Sequence, residues 1–339
     1  EYAFTFEDEQ TTVELSKADL TDKKELPGAS LKVTDEDGNT VDEWVSKEEA
    51  HIIKGLIVGK KYKMTETKPA DGYVTAESIE FTVENTKEVQ KHQMLDDVTK
   101  VEISKKDITD SSEVPGAKLI ILDKGGKKVE SWTSTDKPHM VEKLPVGEYT
   151  LREEQAPDGY LIAEDVKFTV KDTGKVQKVK MKDAHPYGKL VIKKTDSTSK
   201  AALPGAEFEL REKESGKVVE KLVTDKTGTA TSGKIPIATY KNGKVEKTVE
   251  YILVETKAPN GYELSSKKEE IRFEYKDGKT KVIEIVKEIK NTKSPSGSTP
   301  TGNSPKTGDS TNIWLPILLA VLSACGIGGV IWYKKKKGN

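Results

Sequence analysis

Cysteine is nearly missing from this chain: its 339 residues include one, Cys325. A lone thiol cannot form an internal cystine, so the disulfide framework that commonly stabilises small exported domains is excluded. Apolar residues are scarce as well, at 34%, with aromatics at 6%. Of the apolar residues, 16 are concentrated in the 21 positions 313–333. The remainder is too lean for one large core, and the length points to two or three small domains, each weakly stabilised by burial alone. An excess of either charge is also missing, with 56 Lys and Arg against 57 Asp and Glu and a formal net charge of −1. That balance argues against nucleic acid as a partner, because phosphate binding requires a basic surplus. The four histidines, His51, His92, His139 and His185, stand at no metal-binding or catalytic-triad spacing, and there is no glycine-rich phosphate loop. No cofactor or metal is expected, and catalysis on an external substrate finds no support.

What is present begins at the C-terminus. Residues 313–333 read IWLPILLAVLSACGIGGVIWY without a charge, and Lys334 to Lys337 follow at once. An uncharged run of that length spans a bilayer core, and the lysines of the 334–339 tail form a cytoplasmic stop-transfer flank. Residues 293–312 form a Ser, Thr, Gly and Pro linker that cannot build a core. Within it, Ser304-Pro305-Lys306-Thr307-Gly308, followed by the apolar span and the basic tail, resembles the sortase sorting signal of Gram-positive surface proteins, usually Leu-Pro-x-Thr-Gly. The departure is Ser304 in place of Leu, which leaves the sortase class open. The resemblance implies that a sortase cysteine attacks the Thr307 carbonyl and releases Gly308 onward. The acyl group then passes to an amine of cell-wall peptidoglycan or of a pilin lysine. The membrane span would be transient, and the mature protein secreted and wall-anchored.

The rest of the chain is a threefold repeat. VELSKAD at Val13, VEISKKD at Val101 and LVIKKTD at Leu190 are each followed by a Pro-Gly-Ala turn whose glycine lies 11 residues after Lys17, Lys105 and Lys194. YKMTETKPADGY, YTLREEQAPDGY and YILVETKAPNGY follow from Tyr62, Tyr149 and Tyr251, and each unit closes in an alternating run ending at Asp96, Asp183 or Asn291. Short alternating segments rich in Val, Thr, Tyr and Ile, punctuated by glycine turns, predict an all-β fold of three tandem immunoglobulin-like sandwiches at 11–98, 99–185 and 186–292. TYKNGKVEK in the third unit reads as an added hairpin on an Asn-Gly turn.

Alternation also says which way the charged residues point. In a strand, residues two apart share a face, so Lys17, Lys105 and Lys194 take the next inward position after Leu15, Ile103 and Ile192. Glu66, Glu153 and Glu255 do so in the middle motif, and Asp96, Asp183 and Asn291 in the closing one. A structural salt bridge or solvated strand ends would explain any single instance. Recurrence in three units, with Lys-to-Glu separations of 49, 48 and 61 residues and Glu-to-acceptor separations of 30, 30 and 36, outweighs both readings.

Taken together, VxLxKxD, the Pro-Gly-Ala turn, YxLxETxAPxGY and a closing strand ending in Asp or Asn resemble the Cna B-type domain of Gram-positive adhesins and pilins, over residues 11–292. The resemblance implies intramolecular isopeptide bonds Lys17–Asp96, Lys105–Asp183 and Lys194–Asn291, assisted by Glu66, Glu153 and Glu255. The first unit has KPADGY where APDGY is usual, and Asp96-Asp97 offers a choice, in which alternation favours Asp96. Burial lowers the pKa of an amine and raises that of a carboxylic acid, so a neutral nucleophile can meet a polarised carbonyl. The reaction would be single-turnover, so the protein is not expected to be an enzyme.

No signal peptide is visible, so a mature or truncated fragment is expected. Phe4, Phe6 and Asp8 alternate like a closing strand, and Asp8 precedes Lys17 by 9 residues, as Asp96 precedes Lys105. Residues 1–10 are accordingly expected to hold the last strand of a preceding domain, with Asp8 its acceptor. The expected function is a wall-anchored stalk for adhesion. Alternatives are a pilin subunit, although His185-Pro186-Tyr187-Gly188-Lys189 does not match the usual Tyr-Pro-Lys pilin motif, and direct binding of host extracellular matrix or host cell surface by the domains.

Overall fold

The structure, a computed structural model, describes residues 9–295. Asp8, the sorting signal 304–308, Cys325, the apolar span 313–333 and the 334–339 tail lie outside the described residues. Within them the chain is all-β, and no helix is long and apolar enough to cross a membrane.

The first domain runs β1 (Thr12–Asp19), β2 (Ser30–Thr34), β3 (Thr40–Val45), β4 (His51–Lys54), β5 (Lys61–Lys68), β6 (Ile79–Thr82) and β7 (Gln90–Asp96). They form two sheets, ordered β4-β1-β7 and β3-β2-β5-β6. Period-two alternation sends Val13, Leu15, Val33, Met64 and Met94 into the space between them, where all five are buried. The second domain repeats the plan with β8 (Lys100–Asp107), β9 (Lys118–Asp123), β10 (Lys128–Thr133), β11 (His139–Glu142), β12 (Gly147–Gln155), β13 (Val166–Val170) and β14 (Gln177–Asp183).

The third domain runs β15 (Tyr187–Asp196), β16 (Glu207–Glu212), β17 (Val218–Val223), β18 (Thr229–Thr231), β19 (Ile235–Pro236), β20 (Ala238–Lys241), β21 (Lys244–Thr248), β22 (Glu250–Lys257), β23 (Glu269–Arg272) and β24 (Val282–Asn291). Strands β20 and β21 form the hairpin expected at Asn242-Gly243.

In every domain the first and last strands are parallel neighbours: β1 with β7, β8 with β14, and β15 with β24. A chain entering at the start of the first strand therefore leaves from the opposite end of the domain, which suits end-to-end stacking. The Asp-Gly-Tyr turn, Asn-Gly-Tyr in the third domain, lies at each exit. At the first junction Thr99 N–H donates to Gly72 O at 3.0 Å, and Thr75 donates through its amide and hydroxyl to the Asp172 carboxylate at 2.9 and 2.7 Å. At the second, the β20–β21 hairpin reaches back: Tyr240 OH donates to Gly159 O at 2.8 Å, and its ring stacks on His185 with centroids 3.4 Å apart.

Gly72 has φ +86°, and a Cβ there would meet the Lys143 carbonyl oxygen of the next domain at 2.4 Å. Gly261, its counterpart at the third exit, has φ +83° and nothing within 4 Å of that position. Gly261→Ala should therefore cost only the left-handed backbone penalty, about 1 kcal/mol. Gly72→Ala should cost more and loosen the first junction. Thermal unfolding with backbone NMR relaxation checks this, and equal effects of the two changes would contradict the packing described.

Candidate functional site

A buried polar group recurs in each domain, with a Lys from the first strand, an Asp or Asn from the last and a Glu from a strand of the facing sheet. Lys17, Glu66 and Asp96 are 1%, 4% and 0% exposed. Lys17 Nζ lies 2.9 Å from Glu66 Oε1 and contacts Asp96 Oδ1. Lys105 Nζ lies 2.9 Å from Glu153 Oε2 and contacts Asp183 Oδ1. In the third domain Lys194 Nζ is 3.5 Å from Glu255 Oε1 and donates to Asn291 Oδ1, while Asn291 Nδ2 donates to both Glu255 oxygens at 3.0 Å. Neighbouring residues face elsewhere: Asp97 pairs with Lys100 at 2.8 Å, and Glu154 is exposed.

Backbone geometry places these groups. The parallel register sets Lys17 opposite Met94 and Asp96 opposite Asp19, so the lysine side chain reaches along the strands to its partner. Beside each glutamate the pairing of its strand shifts by one residue, as between Leu31↔Glu66 and Ser30↔Lys68; such a bulge re-aims the side chain next to it. The carboxylate is then held by the amide ten residues on: Ala76, Ala163 and Ser265 N–H donate to Glu66, Glu153 and Glu255 at 2.7, 2.7 and 2.8 Å.

The electrostatics favour the neutral forms of Asp96, Asp183 and Lys194. Burial pushes the Asp96 and Asp183 carboxyls up to about 7; the adjacent lysines oppose this and Glu66 and Glu153 reinforce it. Burial likewise lowers the Lys194 amine against the pull of Glu255. Asp96 Oδ2 and Asp183 Oδ2 are buried with no hydrogen-bond partner among the described residues, an arrangement that a proton on the carboxyl relieves. Each site thus holds an amine against a carboxyl or carboxamide, with a second carboxyl placed to move protons. No group of His, Cys, Asp and Glu among the described residues could hold a metal.

A second recurring pair joins motifs for which sequence reasoning assigned no role. The tyrosine of the Asp/Asn-Gly-Tyr turn donates to the Asp two residues after each lysine: Tyr73 to Asp19 at 2.8 Å, Tyr160 to Asp107 at 2.7 Å and Tyr262 to Asp196 at 2.9 Å. The signal was available, since in all three units the Asp keeps a fixed spacing from the Lys and the Tyr a fixed spacing from the Glu. Lys143 joins the first pair, its Nζ donating to Tyr73 OH at 2.6 Å and lying 3.3 Å from Asp19 Oδ2, and His185 joins the second at 2.9 Å from Asp107 Oδ2. His185, Pro186 and Tyr187 also line a groove of about 790 Å³, and Lys189 pairs with Glu284 at 3.2 Å.

Residues 11–97, 99–185 and 188–289 each match the SpaA prealbumin-like fold domain. The chain belongs to the SpaA domain family. The family model thus supports three repeated domains of the kind found in Gram-positive surface proteins, under the SpaA name. No curated protein matches the chain. Among solved structures, the Bacillus anthracis TIE protein is similar at 27% identity and a TM-score of 0.56, over 84% of this chain and 52% of that one. The chain thus spans about half the length of that relative. BcpA, the major pilin subunit of Bacillus cereus, is 19% identical with a TM-score of 0.49, over 84% of this chain and 100% of that one. The full-length major pilin SpaD from Corynebacterium diphtheriae is 19% identical with a TM-score of 0.39, over 86% and 99%.

The Asp–Tyr pairs at the ends of the SpaA domains carry a pH signature. Burial works to raise Asp19 and Asp107, but hydrogen bonds from Thr21 and Tyr73, and from Thr109, Tyr160 and His185, outweigh it and hold both at about 2. Asp196 is held at about 2 by the Ser199 and Thr198 amides and by Tyr262. A carboxyl depressed in the folded state stabilises above its ordinary value of 3.8 and loses that contribution as pH falls towards 2. Stability should therefore drop across that window, and Asp→Asn changes at these positions should flatten the drop in denaturant melts.

Proposed function

We propose that the three SpaA domains form a covalently cross-linked stalk of a bacterial surface protein. The observation that carries this reading is the buried Lys–Glu–Asp or Lys–Glu–Asn group of every domain, in which the Lys of the first strand meets the acceptor of the last. In the first domain the Lys17 amine attacks Asp96 Cγ. Glu66 takes a proton from the nitrogen and returns it to the leaving oxygen, the Cγ–O bond breaks, and one water departs. The second domain does the same with Lys105, Glu153 and Asp183. In the third, Lys194 displaces ammonia from Asn291 with the help of Glu255. Holding amine and carbonyl in contact supplies the effective molarity that lets this slow amide formation proceed. It happens once per domain, so the protein is not an enzyme for external substrates.

The value of such bonds lies in where they sit. They join residues 79, 78 and 97 positions apart, and by the loop-closure arithmetic used for disulfides each stabilises by roughly 4–5 kcal/mol. Tension entering at β1 would cross to β7 at Lys17–Asp96 and leave the domain, bypassing everything between. The link resists reductants, as a chain with one cysteine requires. Anchoring follows from Ser304-Pro305-Lys306-Thr307-Gly308: sortase would join Thr307 to the cell wall, leaving the stalk to display whatever precedes it for adhesion.

Intact mass tests the reading. The wild-type chain should be lighter than its sequence by two waters and one ammonia, and Glu66→Ala, Glu153→Ala and Glu255→Ala should each restore one loss. A wild-type mass equal to the sequence mass would falsify the cross-links. The pH profile adds a second check. As pH rises through about 7, Asp96 and Asp183 lose the proton that must leave with water, so bond formation in the first two domains should slow. The third domain, with Asn291, should lack that decline in peptide-resolved mass spectra.

A further inference from the structure

The lysines of the three groups sit where strand pairing stops. The β1–β4 ladder ends at Leu15↔His51 and the β8–β11 ladder at Ile103↔His139, two residues short of Lys17 and Lys105. Beyond that point the lysine amide and carbonyl still face the vacated side. The carbonyls are covered by backbone, with Leu26 N–H donating to Lys17 O and Val114 N–H to Lys105 O, both at 2.7 Å. The amides are covered by side chains instead. Lys17 N–H donates to Glu25 Oε2 at 3.2 Å, and Lys105 N–H donates to Glu113 Oε2 at 3.0 Å.

The carboxylates are themselves fixed. Ser16 Oγ donates to Glu25 Oε1 at 2.5 Å, and Lys106 Nζ lies 2.8 Å from Glu113 Oε1. The third domain solves the same problem differently. Its Lys194 N–H donates to the backbone carbonyl of Gly228 at 2.7 Å, and Ala202 stands where Glu25 and Glu113 stand in the other units. The glutamate thus occurs in the two domains whose acceptor is Asp and is replaced in the one whose acceptor is Asn.

We infer that Glu25 and Glu113 are positioning residues for cross-linking, clasping the backbone of the reactive lysine so that its amine meets the acceptor carbon. This rests on the cross-link reading above. Neither glutamate touches the reacting atoms. Each acts through the lysine amide, the one backbone donor of that residue, at the point where the neighbouring strand has stopped supplying acceptors. The step it serves is the one already balanced: Nζ–Cγ forms, Cγ–O breaks and water leaves. A loosened strand end displaces the amine, and small displacements from an attack geometry are costly in rate.

The test follows bond formation over time in the whole chain made by cell-free synthesis, with proteolytic peptide masses reporting each domain separately. Glu25→Ala should slow the Lys17–Asp96 bond on the order of tenfold or more. The bonds of the second and third domains serve as internal controls and should be unchanged. Glu25→Gln keeps an acceptor oxygen for the amide and should restore the rate, a rescue that a role through net charge would not give. Circular dichroism establishes that the first domain of each variant is folded at the assay temperature. An unchanged rate in Glu25→Ala, or a Glu25→Gln chain as slow as Glu25→Ala, overturns the clasp while wild-type bonds still form. Absence of any wild-type bond instead sinks the cross-link reading itself, and the clasp with it.

Discussion

Each domain is organised around a lysine amine buried against a carboxyl or carboxamide at the seam of its first and last strands. A buried ammonium without partners is costly, and even a paired one repays its desolvation only when the geometry is tight. Much of the local architecture serves that requirement. The parallel pairing of first and last strands brings donor and acceptor together, a bulge turns the glutamate inward, and an amide ten residues on holds its carboxylate.

The same seam governs how domains are joined. Parallel first and last strands put entry and exit at opposite ends, so successive sandwiches stack rather than fold back. The exit carries an Asp–Tyr pair and a glycine turn, against which the next domain packs closely. Lys143 meets the first exit as a single long side chain bridging Asp19 and Tyr73. The β20–β21 hairpin meets the second as an inserted element, with Tyr240 against His185 and Gly159. The two joints therefore differ in kind, one ionic and the other largely aromatic.

The domains also differ in how a common side-chain geometry is maintained. Where the acceptor is Asp, a carboxyl oxygen is left without a partner and the group is pushed towards its neutral form. Where it is Asn, the amide nitrogen fills that position with two hydrogen bonds to Glu255. The backbone of the lysine is held by a side-chain carboxylate in the first case and by a main-chain carbonyl in the second. A carboxamide brings its own donors to the glutamate, whereas a carboxyl must borrow a proton.

Much of the architecture was legible from residue order, because strand alternation is a local rule. Val13, Leu15 and Lys17 must share a face if the segment is extended, and the threefold spacing of Lys, Glu and Asp or Asn shows that this face matters. The inward lysines followed from that rule, the all-β class from it together with the glycine turns, and the three repeats from the recurrence of the motifs along the chain. Local rules could not say what lies across a gap. The pairing of Tyr73 with Asp19 joins residues 54 positions apart, and the clasp of Glu25 on the Lys17 amide depends on where β4 happens to end. The hairpin at Asn242-Gly243 was readable as a hairpin, but its docking on the preceding domain was not. The sequence by itself determined which side chains go inside and how often the pattern repeats. Only the tertiary structure decided which of them meet, because contact across strands depends on register, bulges and strand ends, which are settled when the whole sandwich closes.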